Sequence, residues 1–418
     1  MRVVIIGAGL LGLTSACFLS GYGCEVTVFE REAGPGLQTS FANGGLLTPS
    51  MPEPWNSPGS WRMLLASLFR SDLPLKLHAR ALPDLSVWGL RFLCNSRIAR
   101  FKANTSRNLR LALYSAGVLS DLRRTAGIQP GCATTGTLKV FRDARSLEIA
   151  VQAGQLLAAQ GLRLQGLSRA QVIDLEPALA PVGDQLAGGI YYPDDETGDA
   201  YEFCVGLADW LRGQGVRFCF GQEIQSIEMH SNRFTGVRTV VSEIDADACV
   251  VAAGSYSPLV MRSLGIDLPV RPAKGYSVTF ESAVPLSPLR IPVVDDHLHA
   301  AVVPLGSAIR VAGTAEFAGY DRSLSLARVD NLIGLMKRVL PDARLEGASV
   351  KPWCGLRPMS ADGVPIISRT RIGNLFVNAG HGHLGWTLAA GSGRLLADLV
   401  CSREPAIEAD AYSLLRFG

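Results

Sequence analysis

The first 30 residues group their apolar positions in a pattern that predicts a β-α-β unit. Arg2–Ile6 (RVVII) is a continuous β-branched run, which is typical of a buried parallel strand. A turn at Gly7–Gly12 follows, and the apolar segment Leu13–Ser20 then predicts a helix. Glu25–Phe29 (EVTVF) predicts a second strand. The whole unit spans about 30 residues, the usual size of this motif.

The remaining sequence continues as strands and helices, with no internal repeat and no low-complexity tract. Runs of β-branched residues predict buried strands, and longer segments that end at Gly or Pro predict helices. The predicted elements are strands at 132–141, 216–220, 247–253 and 374–378, strand-like alternation over 275–315, and helices at 61–127, 147–160, 200–214, 324–339 and 382–399. Residues 33–60 are rich in Gly, Pro, Ser and Asn, and we expect an ordered loop that faces a ligand.

Composition narrows the class of protein. A chain of 418 residues that is 48% hydrophobic is long enough for two domains with a large core. A net charge of only +3 does not indicate a nucleic-acid partner. Nine cysteines without a Cys-x-x-Cys pair argue against a metal site and are typical of reduced thiols in the cytoplasm. Glycines at fixed spacing interrupt the apolar N-terminal run, so we expect neither a signal peptide nor a spanning helix.

The turn after the first strand has the form G-x-G-x-x-G, made by Gly7, Gly9 and Gly12. The first glycine allows a tight turn, the second lets the backbone approach a pyrophosphate, and the third lets the helix pack closely on the strand. Glu30 closes the second strand, where a carboxylate can accept hydrogen bonds from ribose hydroxyls. This context predicts dinucleotide binding. The position of the motif at residue 7, with a second glycine-ended strand at Val250–Gly254, favours FAD over NAD.

Further motifs follow in a fixed order. They are Thr39–Gly45 (TSFANGG), Pro193–Asp199 (PDDETGD), Gly254–Ser257 (GSYS), Lys274–Ser277 (KGYS), Gly355–Pro365 (GLRPMSADGVP) and Gly380–Thr387 (GHGHLGWT). With them, nearly the whole chain resembles the small-subunit family of D-amino acid dehydrogenases, within the superfamily of FAD-dependent D-amino acid oxidases and glycine oxidases. The resemblance implies oxidation of D-amino acids to 2-oxo acids and ammonia by hydride transfer from Cα to flavin N5. It also implies that the electrons pass to a quinone or another acceptor, neither NAD nor O2.

The expected fold class is α/β, with two interleaved domains. One is a Rossmann-like, glutathione-reductase-type domain that binds FAD, and the other is a substrate domain with a mixed sheet. We expect residues 1–60, 200–260 and 350–418 to form the FAD-binding domain, and 61–199 and 261–349 the substrate domain, with a basic helical insert at 61–127.

Arg357 is the principal substrate-binding candidate. In the superfamily, the arginine of a Gly-Leu-Arg-Pro motif binds the carboxylate of the amino acid, and Arg357 occupies that place. A planar guanidinium can hold a carboxylate through two parallel hydrogen bonds. The alternative is an arginine in a structural ion pair with Asp362.

Four other side chains are candidates for the substrate pocket. His383 stands where glycine oxidase relatives carry a substrate-side arginine, although a structural histidine is an equal alternative. Tyr276 and Tyr256 are candidates that can instead pack in the core. Many oxidase relatives carry a substrate tyrosine on the strand before Val303–Pro304. Here that strand contains His299, which is the candidate to replace it.

The resemblance also implies the flavin contacts. A loop before the last helix would point N–H groups at the flavin and stabilise the negative charge that reduction creates. The expected FAD contacts are Gly7, Gly9, Leu10, Leu11, Gly12, Glu30, Arg31, Ser40, Asn43, Gly44, Gly45, Ala253, Gly254, Gly355, Gly382, His383, Leu384, Gly385, Trp386 and Thr387. Met359 and Ser360 lie close to where covalent relatives carry a linking cysteine, so we expect non-covalent FAD.

Residues 61–110 combine ten Lys and Arg residues with only two acidic ones, Asp72 and Asp84, and with interleaved apolar side chains. A basic amphipathic stretch can lie on an anionic bilayer, which would suit a dehydrogenase that reduces quinones. The alternative is a helical insert with a solvated basic face, at a subunit contact. We therefore expect a cytoplasmic protein. The sequence does not decide whether it contacts the inner face of the cell membrane or whether it forms an oligomer.

Other activities stay open at this point. They are an oxidase that uses O2 on glycine, sarcosine or D-amino acids, a D-proline or D-hydroxyproline dehydrogenase, and a flavoprotein subunit that is active only in a hetero-oligomer. Production of hydrogen peroxide would identify the first, and inactivity of the purified chain the last. The absence of cysteine clusters argues against an electron relay within the chain.

Overall fold

Strands and helices alternate along the chain. The structure, a computed structural model, describes residues 1–69, 75–129, 131, 133–282, 286 and 289–417. Its strands are β1 (Arg2–Ile6), β2 (Glu25–Glu30), β3 (Leu46–Leu47), β4 (Leu75–Leu77), β5 (Thr137–Phe141), β6 (Gln165–Ser168), β7 (Gly188–Tyr192), β8 (Glu196–Thr197), β9 (Arg217–Phe220), β10 (Ser226–His230), β11 (Arg233–Arg238), β12 (Glu243–Asp245), β13 (Ala248–Val251), β14 (Val270–Glu281), β15 (Val293–Asp295), β16 (Ala300–Leu305), β17 (Ala308–Phe317), β18 (Ser349–Ser360), β19 (Ile366–Arg369) and β20 (Leu375–Ala379). Its helices are α1 (Leu10–Gly21), α2 (Ser60–Phe69), α3 (Leu82–Asn95), α4 (Ile98–Ala126), α5 (Ala144–Ala158), α6 (Arg169–Leu175), α7 (Ala200–Gly213), α8 (Ser257–Arg262), α9 (Leu326–Val339) and α10 (Gly385–Val400).

The predicted N-terminal β-α-β unit is confirmed and lies at the centre of a six-stranded sheet. The strand order is β19-β20-β13-β1-β2-β9, and β1 pairs in parallel with both β2 and β13. Because both faces of β1 are covered, its β-branched side chains are buried on each side. Ile5 packs under α1, α7 and α10, while Val4 packs towards the small sheet of β10, β11 and β12.

A second, larger sheet is mixed, as expected. Its order is β18-β14-β17-β16-β15-β5-β7-β6, with β4 paired to β17. Most neighbours are antiparallel, but β15 pairs with β5 and β17 with β4 in parallel. The helix α9 covers one face, where Leu332 and Met336 are fully buried. The long pairing of β14 with β18 runs from Val270 opposite Ser360 to Glu281 opposite Ser349.

Two segments lie on the other side of the predicted domain boundaries. Residues 350–360 were expected with the FAD-binding elements, but β18 is a strand of the larger sheet. The helix α4 was expected in the substrate domain, but most of its buried apolar side chains join the core of the six-stranded sheet, and only Leu109 packs against β5 and β7 of the larger sheet. Ser115 of α4 accepts a hydrogen bond from the backbone N–H of Gly391 in α10, at 3.0 Å. Local periodicity predicts that a helix forms but does not specify the neighbour on which its apolar face packs.

The described part of the basic insert consists of α2, the short strand β4, a 3-10 turn, α3 and α4, and it exposes apolar side chains. Trp88 and Phe92 face inward, whereas Val87, Leu90 and Leu93 on the same helix α3 are exposed. Residues 70–74, which belong to the predicted basic stretch, lie outside the described residues. Across the part of the chain that the structure describes, no helix is long and apolar enough to span a bilayer.

Candidate active site

One cavity of about 410 Å³ lies between the two sheets. Its walls come from the turn after β1, the loop between β2 and β3, the end of β13, the larger sheet, and the segment before α10. The predicted site residues that line it are Gly7, Gly9, Leu10, Leu11, Glu30, Arg31, Ser40, Asn43, Gly44, Ala253, Gly254, Tyr256, Tyr276, His299, Gly355, Arg357, Gly382, His383, Gly385 and Trp386. Four predicted cofactor contacts, Gly12, Gly45, Leu384 and Thr387, do not line the cavity.

The glycine-rich turn owes its shape to close backbone approaches. Gly7 has a φ of +110°, and a Cβ there would lie 2.6 Å from the carbonyl oxygen of Ala252, the residue after β13. A Cβ on Gly12 would lie 1.8 Å from the Gly7 carbonyl oxygen. Gly12 therefore acts through the packing of α1 against β1 and does not itself face the cavity. The resulting turn aims the N-terminus of α1, at Leu10 and Leu11, into the cavity.

Glu30 lies at the same end of the cavity, at the end of β2. Its Oε2 accepts a hydrogen bond from the Ala8 N–H at 2.8 Å, and its Oε1 accepts one from the Glu32 N–H at 3.0 Å. These bonds hold the carboxylate beside the glycine-rich turn, and each oxygen keeps a lone pair for a further donor. Arg31 stacks over the ring of Tyr256 at 3.8 Å. Tyr256 thus lies beside Arg31, the residue that follows Glu30.

The segment before α10 closes the cavity from the opposite side. Gly382 has a φ of +58° within a short 3-10 turn, which turns the chain before the helix begins. Leu384 points into the core, and Thr387 accepts a hydrogen bond from the Thr48 N–H at 3.0 Å. Both side chains therefore contact the protein interior on the side of the segment that faces away from the cavity, and they do not line it.

Two polar atoms of this segment are buried without a partner among the described residues. They are Nδ1 of His381 and Nε1 of Trp386, and both residues line the cavity. The other ring nitrogen of His381, Nε2, lies 2.9 Å from the Ser392 Oγ. Buried polar groups normally have hydrogen-bond partners, so a polar ligand in the cavity would satisfy them.

Arg357 reaches the cavity from β18. A Cβ on Gly275 of the neighbouring strand β14 would lie 2.6 Å from the Arg357 Nε, so glycine is needed there to admit the guanidinium. The guanidinium lies 5.3 Å from the ring of Trp55, and Trp55 stacks on His383 at 5.7 Å. Desolvation by burial lowers the pKa of Arg357 to about 10, which leaves it a cation at neutral pH.

The predicted alternative, an ion pair between Arg357 and Asp362, is not formed. Asp362 instead pairs with Arg416 through two hydrogen bonds, at 2.7 and 3.1 Å. Within the described part of the chain, Arg357 has no acidic partner. The cavity therefore holds a desolvated cation whose hydrogen-bond donors are available to a ligand.

The other substrate-pocket candidates take different places. The Tyr276 hydroxyl donates a hydrogen bond to Glu316 at 3.0 Å, and Glu316 also pairs with Arg328 at 3.0 Å. That bond directs the phenol into a buried network behind the cavity wall. His299 lies at the cavity edge in an exposed turn before β16, with a φ of +49°. Burial, followed by the charge of Arg357, lowers the pKa of His383 to about 4, so it is neutral at physiological pH.

Comparison with known proteins agrees with this geometry. The model of one family, described as FAD dependent oxidoreductase, matches residues 2–399. The chain belongs to this family. A protein named D-amino acid dehydrogenase from Paramagnetospirillum magneticum is 43% identical over 422 aligned positions, covering 100% of this chain and 99% of that protein. One of the same name from Rhizobium johnstonii is 41% identical, with 100% of both chains covered. The crystal structure of glycine oxidase from Geobacillus kaustophilus superposes with a TM-score of 0.75, at 26% identity, covering 99% of this chain and 98% of that one.

FAD is the cofactor of this FAD-dependent oxidoreductase, and the cavity suits it. The glycine-rich turn and helix N-terminus of α1 fit a pyrophosphate, and Glu30 fits a ribose. At the other end, the unpartnered polar atoms of His381 and Trp386 fit the polar edge of an isoalloxazine ring. The cavity is otherwise lined mainly by apolar atoms, as expected of a site for a flat aromatic ring.

Sequence reasoning missed three residues that shape the substrate end. Trp55 stacks on both Arg357 and His383, and Met51 and the buried His381 line the cavity. The composition of the loop 33–60 identified it as ligand-facing but did not single out Trp55 or Met51. A lone tryptophan among prolines carries no periodic signal, so only its spatial neighbours reveal its position.

Proposed function

We propose that this chain oxidises D-amino acids with FAD, forming a 2-oxo acid and ammonia. The observation that carries the proposal is Arg357, a half-buried guanidinium that has no acidic partner in the described part of the chain and faces the cavity. A carboxylate is the group that such a planar donor binds best. Two proteins named D-amino acid dehydrogenase, 41–43% identical over the whole chain, support the substrate class.

In this proposal Arg357 binds the substrate carboxylate and fixes the position of Cα. Trp55 stacks on the guanidinium and His383 stacks on Trp55, so the rotamer of Arg357 is restricted before the substrate arrives. When bound, FAD would supply the acceptor for the Cα hydride, and loss of that hydride from the neutral amine leaves a protonated imino acid. Water then hydrolyses the imino acid. Positioning of this kind contributes to catalysis because it removes the entropy cost of aligning the reacting atoms.

No strong base is required at the substrate end. His383 is neutral, and its low pKa of about 4 makes it a poor proton acceptor at pH 7. The substrate amine therefore has to lose its proton to water before it reacts. A neutral His383 also avoids placing a second cation beside Arg357, which would repel a protonated amine.

We also propose the ligand roles that follow from the cavity. Gly7, Gly9 and the first residues of α1 would hold the pyrophosphate, Glu30 the ribose, and Asn43, Gly44 and the segment before α10 the flavin. FAD would be bound non-covalently. The two interleaved domains would be divided as the two main sheets are, with α4 added to the FAD-binding domain.

A substrate screen tests the proposed function. We expect the purified holoprotein to reduce a dye acceptor with D-amino acids, and not with L-amino acids, with little hydrogen peroxide formed in air. Stoichiometric peroxide would identify an oxidase instead. Exclusive activity on D-proline or 4-hydroxy-D-proline would place it among imino acid dehydrogenases, and dye reduction with no compound of either set would overturn the proposal.

We further propose that the electrons pass to a quinone at a membrane surface contacted by the helices α3 and α4. Val87, Leu90, Leu93 and Ile98 are exposed there, 43–66% of their surface being accessible to solvent. Exposed basic side chains flank this apolar surface at Arg97, Arg100 and Lys102. Apolar contact combined with basic charge is the pattern of proteins that lie on anionic bilayers.

Sedimentation with lipid vesicles tests this contact. We expect the holoprotein to sediment with vesicles that contain anionic lipid, and Leu90→Asp to weaken the binding several-fold. Ile149→Asp is the matched control, because Ile149 is exposed to a similar extent on α5, outside the proposed surface. Equal binding of wild type and Leu90→Asp, or no binding at all, would contradict the membrane proposal without affecting the proposed reaction.

A further inference from the structure

The motif Pro193–Asp199 has no role in the reaction described so far, yet it is bound to the loop that lines the flavin end of the cavity. Its strand β8 pairs with β3, with Thr197 opposite Leu46. The Gly198 N–H donates to the Gly45 carbonyl oxygen at 3.1 Å. Asp199 reaches the same loop through a second side chain, Arg310.

Arg310 is a buried arginine whose three donor nitrogens are all engaged. Only 6% of its surface is exposed. Its Nε donates to Thr279 at 2.9 Å, its Nη2 to Asp199 at 3.0 Å, and its Nη1 to the backbone carbonyl oxygen of Asn43 at 3.1 Å. The guanidinium is therefore fixed by the larger sheet and by Asp199. It holds the peptide unit between Asn43 and Gly44, in the loop between β2 and β3, which we call the flavin loop.

The preceding peptide unit is held in the same way. The Ser277 hydroxyl, from β14, donates to the Ala42 carbonyl oxygen at 2.6 Å. In a planar trans peptide the N–H points opposite to the carbonyl. The N–H groups of Asn43 and Gly44 therefore point away from Ser277 and Arg310. Neither N–H has an acceptor within the part of the chain that the structure describes, and both residues line the cavity.

These two amides lie at the substrate end of the cavity. A Cβ on Gly44 would be 3.8 Å from the Cβ of Ala312, which lies on the same wall as Gly275 and Arg357. A substrate held by Arg357 can deliver a hydride only to a ring at this end. Consecutive backbone N–H groups that face one point form a site for negative charge.

We propose that Arg310 is a positioning residue that orients the amides of Asn43 and Gly44 towards the flavin ring. Reduction places negative charge on the ring, and preoriented donors stabilise the charge without reorganising. Arg310 thus raises the reduction potential of the bound flavin through the loop that it holds. The inference depends on FAD binding, which the family shows, and not on the identity of the substrate.

The test is the two-electron reduction potential of the bound flavin, measured against a reference dye. Arg310→Lys keeps the charge but cannot donate to Thr279, Asp199 and Asn43 together. In Arg310→Lys we expect the affinity for reduced flavin to fall about tenfold more than the affinity for oxidised flavin, each compared with wild type. Such a difference lowers the reduction potential by about 30 mV. Ser277→Ala, which removes only the bond to Ala42, is expected to shift the potential in the same direction by a smaller amount.

Arg142→Lys is the matched control. Arg142 follows β5 of the larger sheet and is paired with Asp295 at 2.9 Å, but no hydrogen bond or ion pair joins it to the loop that carries Asn43 in the described part of the chain. The flavin reduction potential of Arg142→Lys should equal that of wild type. An unchanged potential in flavin-loaded Arg310→Lys and Ser277→Ala would overturn the proposal. If Arg310→Lys does not fold, the potential of Ser277→Ala decides the question, because that variant removes a single hydroxyl.

Discussion

Arg357→Lys is expected to lower kcat/KM for D-amino acids by more than tenfold, about 1.4 kcal/mol of transition-state stabilisation. Lysine keeps the positive charge but loses the planar pair of donors that fits a carboxylate. The kcat/KM of Arg357→Ala should fall much further. FAD binding and the visible spectrum should stay normal, because the residue faces the substrate end of the cavity. Steady-state kinetics with a dye acceptor and the flavin spectrum measure the two properties separately.

Two controls separate a carboxylate clamp from a structural arginine. Simple amines without a carboxylate should be poor substrates of the wild type and should lose little more in Arg357→Lys. Arg416→Lys alters the arginine that does pair with Asp362, and it should lower the melting temperature with little effect on KM. Full activity of Arg357→Ala on D-amino acids would remove the central claim of the proposed function.

Gly12→Ala is expected to give a protein that holds less than a tenth of the normal FAD, or that fails to fold. The new Cβ would lie 1.8 Å from the Gly7 carbonyl oxygen and 2.9 Å from its carbonyl carbon. Both atoms belong to the backbone of the turn, so no side-chain rotation can relieve the overlap. The helix α1 would have to move away from β1, which opens the pyrophosphate site. Flavin content per chain, measured after acid precipitation, reports the loss.

Gly21→Ala is the matched control for this substitution. Gly21 is the last residue of the same helix, and a Cβ there would meet nothing within 4 Å. The variant should bind FAD normally and be at least as stable as wild type, because alanine favours the helix over glycine by about 1 kcal/mol. The same acid precipitation tests non-covalent binding, since flavin that stayed on the wild-type chain would contradict it. Normal flavin content in Gly12→Ala would show that the turn can relax.

The proposed substrate-binding arginine and the glycine-rich turn could be located from the sequence because each depends on residues close together in the chain. Gly7, Gly9 and Gly12 act within one turn, and Glu30 follows at a distance that the β-α-β unit determines. Arg357 was located through a short motif. The structure adds that its guanidinium is desolvated and that Asp362 binds Arg416 instead. That second fact was not predictable, because 54 residues separate Asp362 from its partner.

The sequence by itself determined the alternation of strands and helices, the glycine turn and the class of cofactor, because steric limits and side-chain periodicity act over short distances. Only the tertiary structure decided which side chains meet in the cavity. It placed Trp55 on Arg357, turned the Tyr276 hydroxyl to Glu316, and brought Arg310 to the carbonyl of Asn43, 267 residues away in the chain. Such contacts follow from how two sheets pack around a shared cavity, and the local pattern of hydrophobic and polar residues carries no information about them.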